Sequence, residues 1–398
     1  MVAVLTPPAH ARMQWSLELD ATSRYDTNIE LTEKAQSDMV YVIGSQVGMK
    51  YEGADVNMDG NYNLGFELFT THHDLDHAAQ SLNLNGDLSR LLAPVLPNQS
   101  TLNFSESIVY APSLPLFSSN ALNQPNTGTS LIPGLPTVDV STSGVGTQRS
   151  STFRQVFSLS DNTPLSPLTR LNLSYSNNFT HFQDPSLVDS WTNGVSIGIS
   201  HDVSRTDTVN ATTSYTRFNP YSGGISNTYS LTGGDQHQFS PVFSGNAALG
   251  VGAAVYPNQT QNQNQAQYTM NGILSVTRTI NENLLVSASA SRNFGTGSGI
   301  ARIPLVSNVA TVTLDQQLTK YLNAKAALNA ARNYSLGGDP ATKTNVLSRG
   351  LDLGLKYEIT SWLESGLIYS YYRQDSFEPG QPDLSRNQYS FTLRARWS

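Results

Sequence analysis

The chain has 398 residues, of which 38% are hydrophobic and only 13% charged, with 30 acidic against 23 basic side chains and a net charge of -7. Soluble domains carry about 25% charged residues; here Ser, Thr, Asn and Gln stand in their place, yet no run approaches the roughly 18 apolar residues of a spanning helix. This excludes helical transporters and channels. The 9% aromatic content excludes a disordered chain, and the absence of cysteine excludes disulfides, thiol chemistry and Cys-based zinc sites.

Residues 1–11 read MVAVLTPPAHA. Ala9 and Ala11 make a small-x-small pattern, so this stretch is expected to be a signal-peptide remnant ahead of a mature start at Arg12. Its apolar part, residues 2–5, is shorter than a full hydrophobic region, and an ordinary polar leader is the alternative. From Arg12 onward the dominant period is two, the strand signal. Trp15, Leu17 and Leu19 open the series, and Tyr41, Ile43, Val47, Met49 and Tyr51 continue it. Tyr62, Leu64, Phe66 and Leu68 then alternate with Asn61, Asn63, Gly65 and Glu67. The fourth and fifth strands, whose alternation is the weakest, are expected around residues 78–84 and 102–110. Leu171, Leu173 and Tyr175 follow, then Val195, Ile197 and Ile199, then Leu249, Val251 and Val255, then Leu284, Val286 and Ala288. Leu351, Leu353, Leu355 and Tyr357 alternate with Asp352, Gly354, Lys356 and Glu358. The last strand is the clearest, with Tyr389, Phe391, Leu393, Ala395 and Trp397 on one face and Gln388, Ser390, Thr392, Arg394 and Arg396 on the other.

These strands run about 10 to 15 residues, against about 5 or 6 in soluble sheets. Tight connections, near residues 52–54, 202–207, 240–241, 280–283 and 360–361, alternate with extended ones at 26–38, 111–147, 182–189, 257–267, 295–303, 336–344 and 374–386. One short end and one long end describe an all-β fold: a transmembrane, antiparallel, up-and-down β-barrel of about 18 strands, within a range of 16 to 18. It would occupy residues 12–398 as a single barrel in the bacterial outer membrane, with a long loop at 111–147. In lipid, every backbone N–H and C=O needs a partner, so the sheet closes and its apolar face turns outward. Aromatics near strand ends (Trp15, Tyr51, Phe179, Tyr357, Trp397) read as interfacial girdles. A stack of immunoglobulin-like domains would show shorter strands at closer spacing.

The stretch Ser23–Tyr25–Asp26–Asn28–Ile29, followed by Asp38 and by a strand ending at Lys50–Tyr51–Glu52, resembles the start of the β-barrel porin 2 outer-membrane proteins. In that family a YDDN(I/V)-like motif precedes the first hairpin; here it reads YDTNI, with Thr27 at the variable place. The alternation through Pro167, Thr169, Leu171 and Leu173 is similar to the family too. The resemblance implies an outer-membrane location, contact with membrane lipid, and passage of a hydrophilic solute or of polysaccharide, since some members are associated with exopolysaccharide loci. The C-terminal strand resembles the signal read by the barrel assembly machinery, except that Ser398 follows the aromatic Trp397. A homo-oligomer is compatible with the pattern.

The candidate lumen charges are Asp59, Glu67, Arg154, Arg170, Asp352, Lys356, Glu358, Arg394 and Arg396. On this parity they either tune a water-filled pore or form internal salt bridges. His72, His73 and His77, with Asp74 and Asp76 between them, form a candidate transition-metal cluster or a merely hydrophilic loop. The 111–147 insertion is expected either to fold inward as a constriction or to remain a surface loop. The tract PNQTQNQNQAQ at 257–267 reads as an exposed loop. No spacing supports a lipase-like or protease-like site, a cofactor motif or a phosphate-binding loop, and basic residues form no run that would attract nucleic acid. The sequence therefore predicts a non-enzymatic pore, or alternatively a closed barrel whose loops bind an envelope partner or a glycan.

Overall fold

A computed structural model describes residues 12–95, 100–113, 150–185, 187–221, 224–258, 263–296, 304–335, 345–377 and 383–397. The expected signal remnant and most of the 111–147 insertion lie outside the described residues. The strands are β1 (Arg12–Asp26), β2 (Asp38–Glu52), β3 (Asn57–Phe69), β4 (His77–Asp87), β5 (Thr101–Ser113), β6 (Ser150–Ser166), β7 (Thr169–Phe182), β8 (Ser190–Asp202) and β9 (Asp207–Pro220). The second half adds β10 (Ser226–Ser240), β11 (Phe243–Asn258), β12 (Gln263–Asn281), β13 (Leu284–Thr296), β14 (Pro304–Gln317), β15 (Leu322–Ser335), β16 (Asn345–Glu358), β17 (Leu363–Ser376) and β18 (Leu384–Trp397). They form one 18-stranded antiparallel sheet in which each strand pairs with its sequence neighbour and β1 also pairs with β18, so the sheet closes. Closure removes the unpaired edges that hydrocarbon does not tolerate.

The alternating sequence dictates which face is which. On β18, Tyr389, Phe391, Leu393 and Trp397 are exposed, while Arg386, Ser390, Thr392 and Arg394 are buried. The apolar parity therefore faces outward and the polar parity faces the lumen, the reverse of a soluble core. Aromatic residues gather on the outer face at both ends. Tyr25, Tyr369 and Tyr389 form one run, and Phe179 meets both Trp191 and Tyr221. At the opposite end Trp362 stacks on Trp397, and Phe239 on Phe243. These are the two interfacial girdles of a membrane barrel.

One end carries mostly tight turns, such as residues 167–168, 241–242 and 282–283. By the usual asymmetry this is the periplasmic end, and the loop end faces outward. The β4–β5 connection, residues 88–100, is longer than the alternation predicts and includes a helical turn in which the Leu92 N–H donates to the Leu88 carbonyl. The 257–267 tract also departs from expectation. Val255 pairs with Ala266, Tyr256 with Gln265, Pro257 with Asn264 and Asn258 with Gln263, so residues 257–258 and 263–267 belong to strands. At a barrel rim both faces of a strand meet water, so a polar strand end and a loop share one composition.

Candidate functional site

The lumen has two unlike walls and an inward-folded loop. The loop, residues 27–37, joins β1 to β2. It begins with the YDTNI motif, and each residue there has a separate task. Tyr25 joins the outer aromatic girdle against Tyr389. Asp26, fully buried, pairs with Arg386 of β18 and accepts from Gln388 at 2.9 Å. The Thr27 hydroxyl accepts from the Asn387 N–H at 2.8 Å. Asn28 clasps the turn: its amide donates to the carbonyls of Thr32 (2.9 Å) and Ser385 (3.1 Å), and its oxygen accepts from the Thr32 N–H (3.0 Å).

Beyond the clasp the loop lays down two apolar anchors. Ile29 packs with Val40 and Val42 of β2, Phe69 of β3 and Leu75 of the short 3-10 turn His73–Leu75. Leu31 packs with Val309 of β14, Ala331 of β15, Tyr372 of β17 and Leu384 of β18. The anchors are 1% and 0% exposed. They bind lumen-facing positions on the two arcs that flank β1, so the loop folds into the lumen against this side of the wall rather than standing above it. Leu31 adopts φ 53°, a left-handed conformation that costs a non-glycine residue about 1–2 kcal/mol.

The wall built from β1–β3 and β15–β18 is charged, and most of its charges are held in ion pairs, although the buried Asp20 carboxylate has no hydrogen-bond partner among the described residues. Arg24 meets Glu67 at 3.1 Å. Glu364 of β17 bonds Lys356 of β16 at 2.8 Å and Arg394 of β18 at 2.9 Å, and Glu18 of β1 holds Arg394 at 2.9 Å and Arg396 at 2.7 Å. This belt runs over four adjacent strands and stitches β18 to β1. Lys356 and the two arginines thus meet through Glu364 on the strand between them.

The opposite wall is neutral. From β9 to β13 no lumen-facing position holds Asp, Glu, Lys or Arg. Register aligns hydroxyls into rows. Ser160 lies opposite Ser174, Ser174 opposite Ser196, Ser196 opposite Ser214, and Ser214 opposite Ser230. Ser174–Ser196 and Ser214–Ser230 are hydrogen-bonded at 2.6 Å. Adjacent rows add Ser105–Ser158 at 2.7 Å and Asn162–Asn172 at 2.8 Å. At the periplasmic end a recess of about 710 Å³ opens against Lys50, Asp59, Asn85, Asn103, Ser105 and Ser158.

All the predicted lumen charges fall on the lumen parity, with differing partners. Asp59 accepts from Asn85 at 3.0 Å, Arg154 donates to Asn178 at 3.4 Å, and Arg170 meets Asp202 at 2.8 Å near a turn. Asp352 is buried and accepts from Asn329 at 3.5 Å, whereas Glu358 is exposed at its strand end. The loop histidines go to separate carboxylates: His72 to Asp38 at 3.0 Å, His73 to Asp76 at 3.5 Å, and His77 to Glu67 at 3.7 Å. The one group of three whose ligand atoms lie within 4.8 Å of one another, among the described residues, is Asp207, Asp235 and His237. It sits at the β8–β9 turn, where Ser204 and Thr206 also donate to Asp207. Glu18, Arg24, Asp26, Glu364 and Arg386 were not anticipated. Their signal was the concentration of charge on one parity near the closure: Glu18, Asp20, Arg24 and Asp26 on β1, Arg386, Arg394 and Arg396 on β18, and Glu364 on β17.

A closed 18-stranded sheet, apolar outside and polar inside, with aromatic girdles at both ends, defines an outer-membrane-type β-barrel. No family model matches the chain, and no curated protein matches it either. Among solved structures it is similar to the FrpB iron transporter from Neisseria meningitidis, F5-1 variant, with TM-score 0.51 and 9% identity over 93% of this chain and 64% of that one. The apoprotein form of that variant gives TM-score 0.50 and 8% identity over 96% of this chain and 81% of that one. Pseudomonas aeruginosa OpdK with vanillate gives TM-score 0.49 and 10% identity over 96% and 99%. The chain spans less than two thirds of the F5-1 FrpB structure, and at these identities the likeness concerns the fold alone.

Proposed function

We propose that this protein is a pore of the bacterial outer membrane that passes neutral, hydrophilic solutes, with the loop at 27–37 as its constriction. The observation carrying this reading is the asymmetry of the lumen: the β9–β13 wall holds no charged side chain on its lumen face, the neighbouring strands add rows of hydrogen-bonded serines, and most charges on β1–β3 and β15–β18 are held in ion pairs. Hydroxyl rows exchange hydrogen bonds with a sugar-like solute at little desolvation cost. Charges locked in pairs offer little to attract a free ion. A saccharide is the solute class that this chemistry favours, including a polysaccharide strand exported outward. The YDTNI motif supports kinship with the β-barrel porin 2 proteins, and the aromatic last strand supports delivery through the barrel assembly machinery.

The experiment is conductance and solute flux in reconstituted bilayers. The wild-type barrel is expected to give stepwise openings with weak ion selectivity, and liposomes containing it should swell faster in neutral sugars than in charged solutes of similar size. Replacing residues 29–36 by a short Gly-Ser linker should raise the unit conductance. A barrel that stays silent with the loop intact and with it replaced would favour the second reading, a closed scaffold whose loops bind a partner. The burial of Ile29 and Leu31 is the observation behind that alternative.

A further inference from the structure

The wall parts at one junction. Pairing between β12 and β13 stops at Gly272 opposite Arg292, although β12 runs on beside β11 to Gln263 and β13 runs on beside β14 to Thr296. Alternate residues of a strand turn their N–H and C=O groups to opposite sides, so residues 263–271 present backbone polar groups to this parting. Arg292 reaches across it, donating from Nε to the Met270 carbonyl at 3.0 Å and from Nη2 to the Thr269 hydroxyl at 3.3 Å. The same guanidinium donates to Asn308 at 3.3 Å and to the Tyr334 hydroxyl at 2.9 Å.

The parting opens a groove of about 1410 Å³ in the half of the barrel nearer the loops, lined mainly from the membrane-facing side and reaching inward to Asn271 and Ser291. Small residues, Gly272, Ala290 and Ala310, line its floor, and Leu249, Tyr268 and Met270, 70%, 79% and 62% exposed, rise beside it. Arg332 also borders the groove and lies 5.6 Å from the Phe377 ring. Among the described residues neither Arg292 nor Arg332 has a carboxylate partner, and the groups they donate to are neutral. An arginine on the lipid face is unfavourable in hydrocarbon and becomes tolerable near the headgroups, where phosphate is the natural bidentate partner.

We propose that this groove is a binding site for a phosphorylated, multiply acylated glycolipid of the outer leaflet. Its acyl chains fill the apolar trough, its phosphates meet Arg292 and Arg332, and its sugar hydroxyls face Asn308 and Tyr334. Two cations at the outward end match two phosphates. A second copy of the chain fits poorly, because a two-fold contact would set the same arginines against each other. The two arginines stand on the lipid-facing parity of their strands, so the proposal does not depend on what crosses the lumen.

The test is native mass spectrometry of the delipidated barrel in dodecyl maltoside, titrated with diphosphoryl lipid A. The wild type is expected to hold one lipid. Arg292→Gln combined with Arg332→Gln should weaken binding by about tenfold or more, the range expected for losing charge-assisted hydrogen bonds. Arg332→Lys should retain most of the affinity, and Ala290→Trp, which fills the trough and leaves both arginines in place, should weaken it. Heat-modifiable migration on gels confirms that each variant is folded. Equal binding by the wild type and the double glutamine variant overturns the proposal, as does equal binding of dephosphorylated lipid A. A dimer forming where a lipid adduct is expected assigns the face to self-association and overturns it; full competition by phosphatidylglycerol overturns the glycolipid assignment.

Discussion

At the scale of single residues, the most informative is Asp26. It is fully buried, and its carboxylate is shared by Arg386 and Gln388. Removing one partner from such a pair strands the other charge, at a cost of about 3–5 kcal/mol. Arg386→Met should therefore lower the urea midpoint at which the barrel loses its heat-modifiable form, and Asp26→Asn on the same background should restore part of the loss. Two independent losses that simply add would refute this pairing. Leu31 poses the opposite problem, since it keeps an unfavourable backbone for the sake of its side chain. Leu31→Gly relieves the backbone but empties the contact, so it should raise channel conductance and noise while changing stability less than Leu31→Ala. Asp26, Asn28 and Ile29 were visible in the sequence as a motif. The tasks of Asp26 and Asn28 were not, because Arg386 and Ser385, which they meet, lie on the last strand, far away in sequence.

At the scale of elements, the strands were the legible part. Alternation survives because each side chain meets lipid or lumen according to parity, and the expected weak strands at 78–84 and 102–110 appear as β4 and β5. Connections were less legible. A loop's composition reports that it contacts water, and the lumen is as wet as the exterior, so the inward fold of residues 27–37 left no trace in polarity. Ile29 and Leu31 were the available hint, two apolar residues in a polar connection. Asn28→Ala should test the clasp by exposing the loop: a protease site engineered near residue 33 should be cut faster in the variant than in the wild type, in intact barrels. Equal cutting would mean that the anchors alone hold the loop.

At the scale of the whole molecule, the barrel places every tryptophan in a girdle. Trp15, Trp191, Trp362 and Trp397 are all exposed on the outer face or at its turns, and the chain has only these 4. Brominated lipids labelled near the headgroups should quench the fluorescence strongly, and lipids brominated at the chain ends weakly; quenching by aqueous iodide alone would show that this surface does not face lipid. The overall architecture was readable because one physical rule, inside polar and outside apolar, is repeated along all the strands. The division of the lumen into a neutral and a self-paired wall was not, since pairing depends on which strands become neighbours when the ring shuts.

That ring shuts where the first strand meets the last. Glu18 waits for Arg394 and Arg396, Asp26 for Arg386, and Asn28 for the Ser385 carbonyl, all supplied by the final strand. None of these latches can engage until β18 has taken its place beside β1, so the two strands that close the sheet must meet before the inner contacts form. The inner loop borrows the same strand for its grip, so the narrowing of the passage is among the last features to be completed.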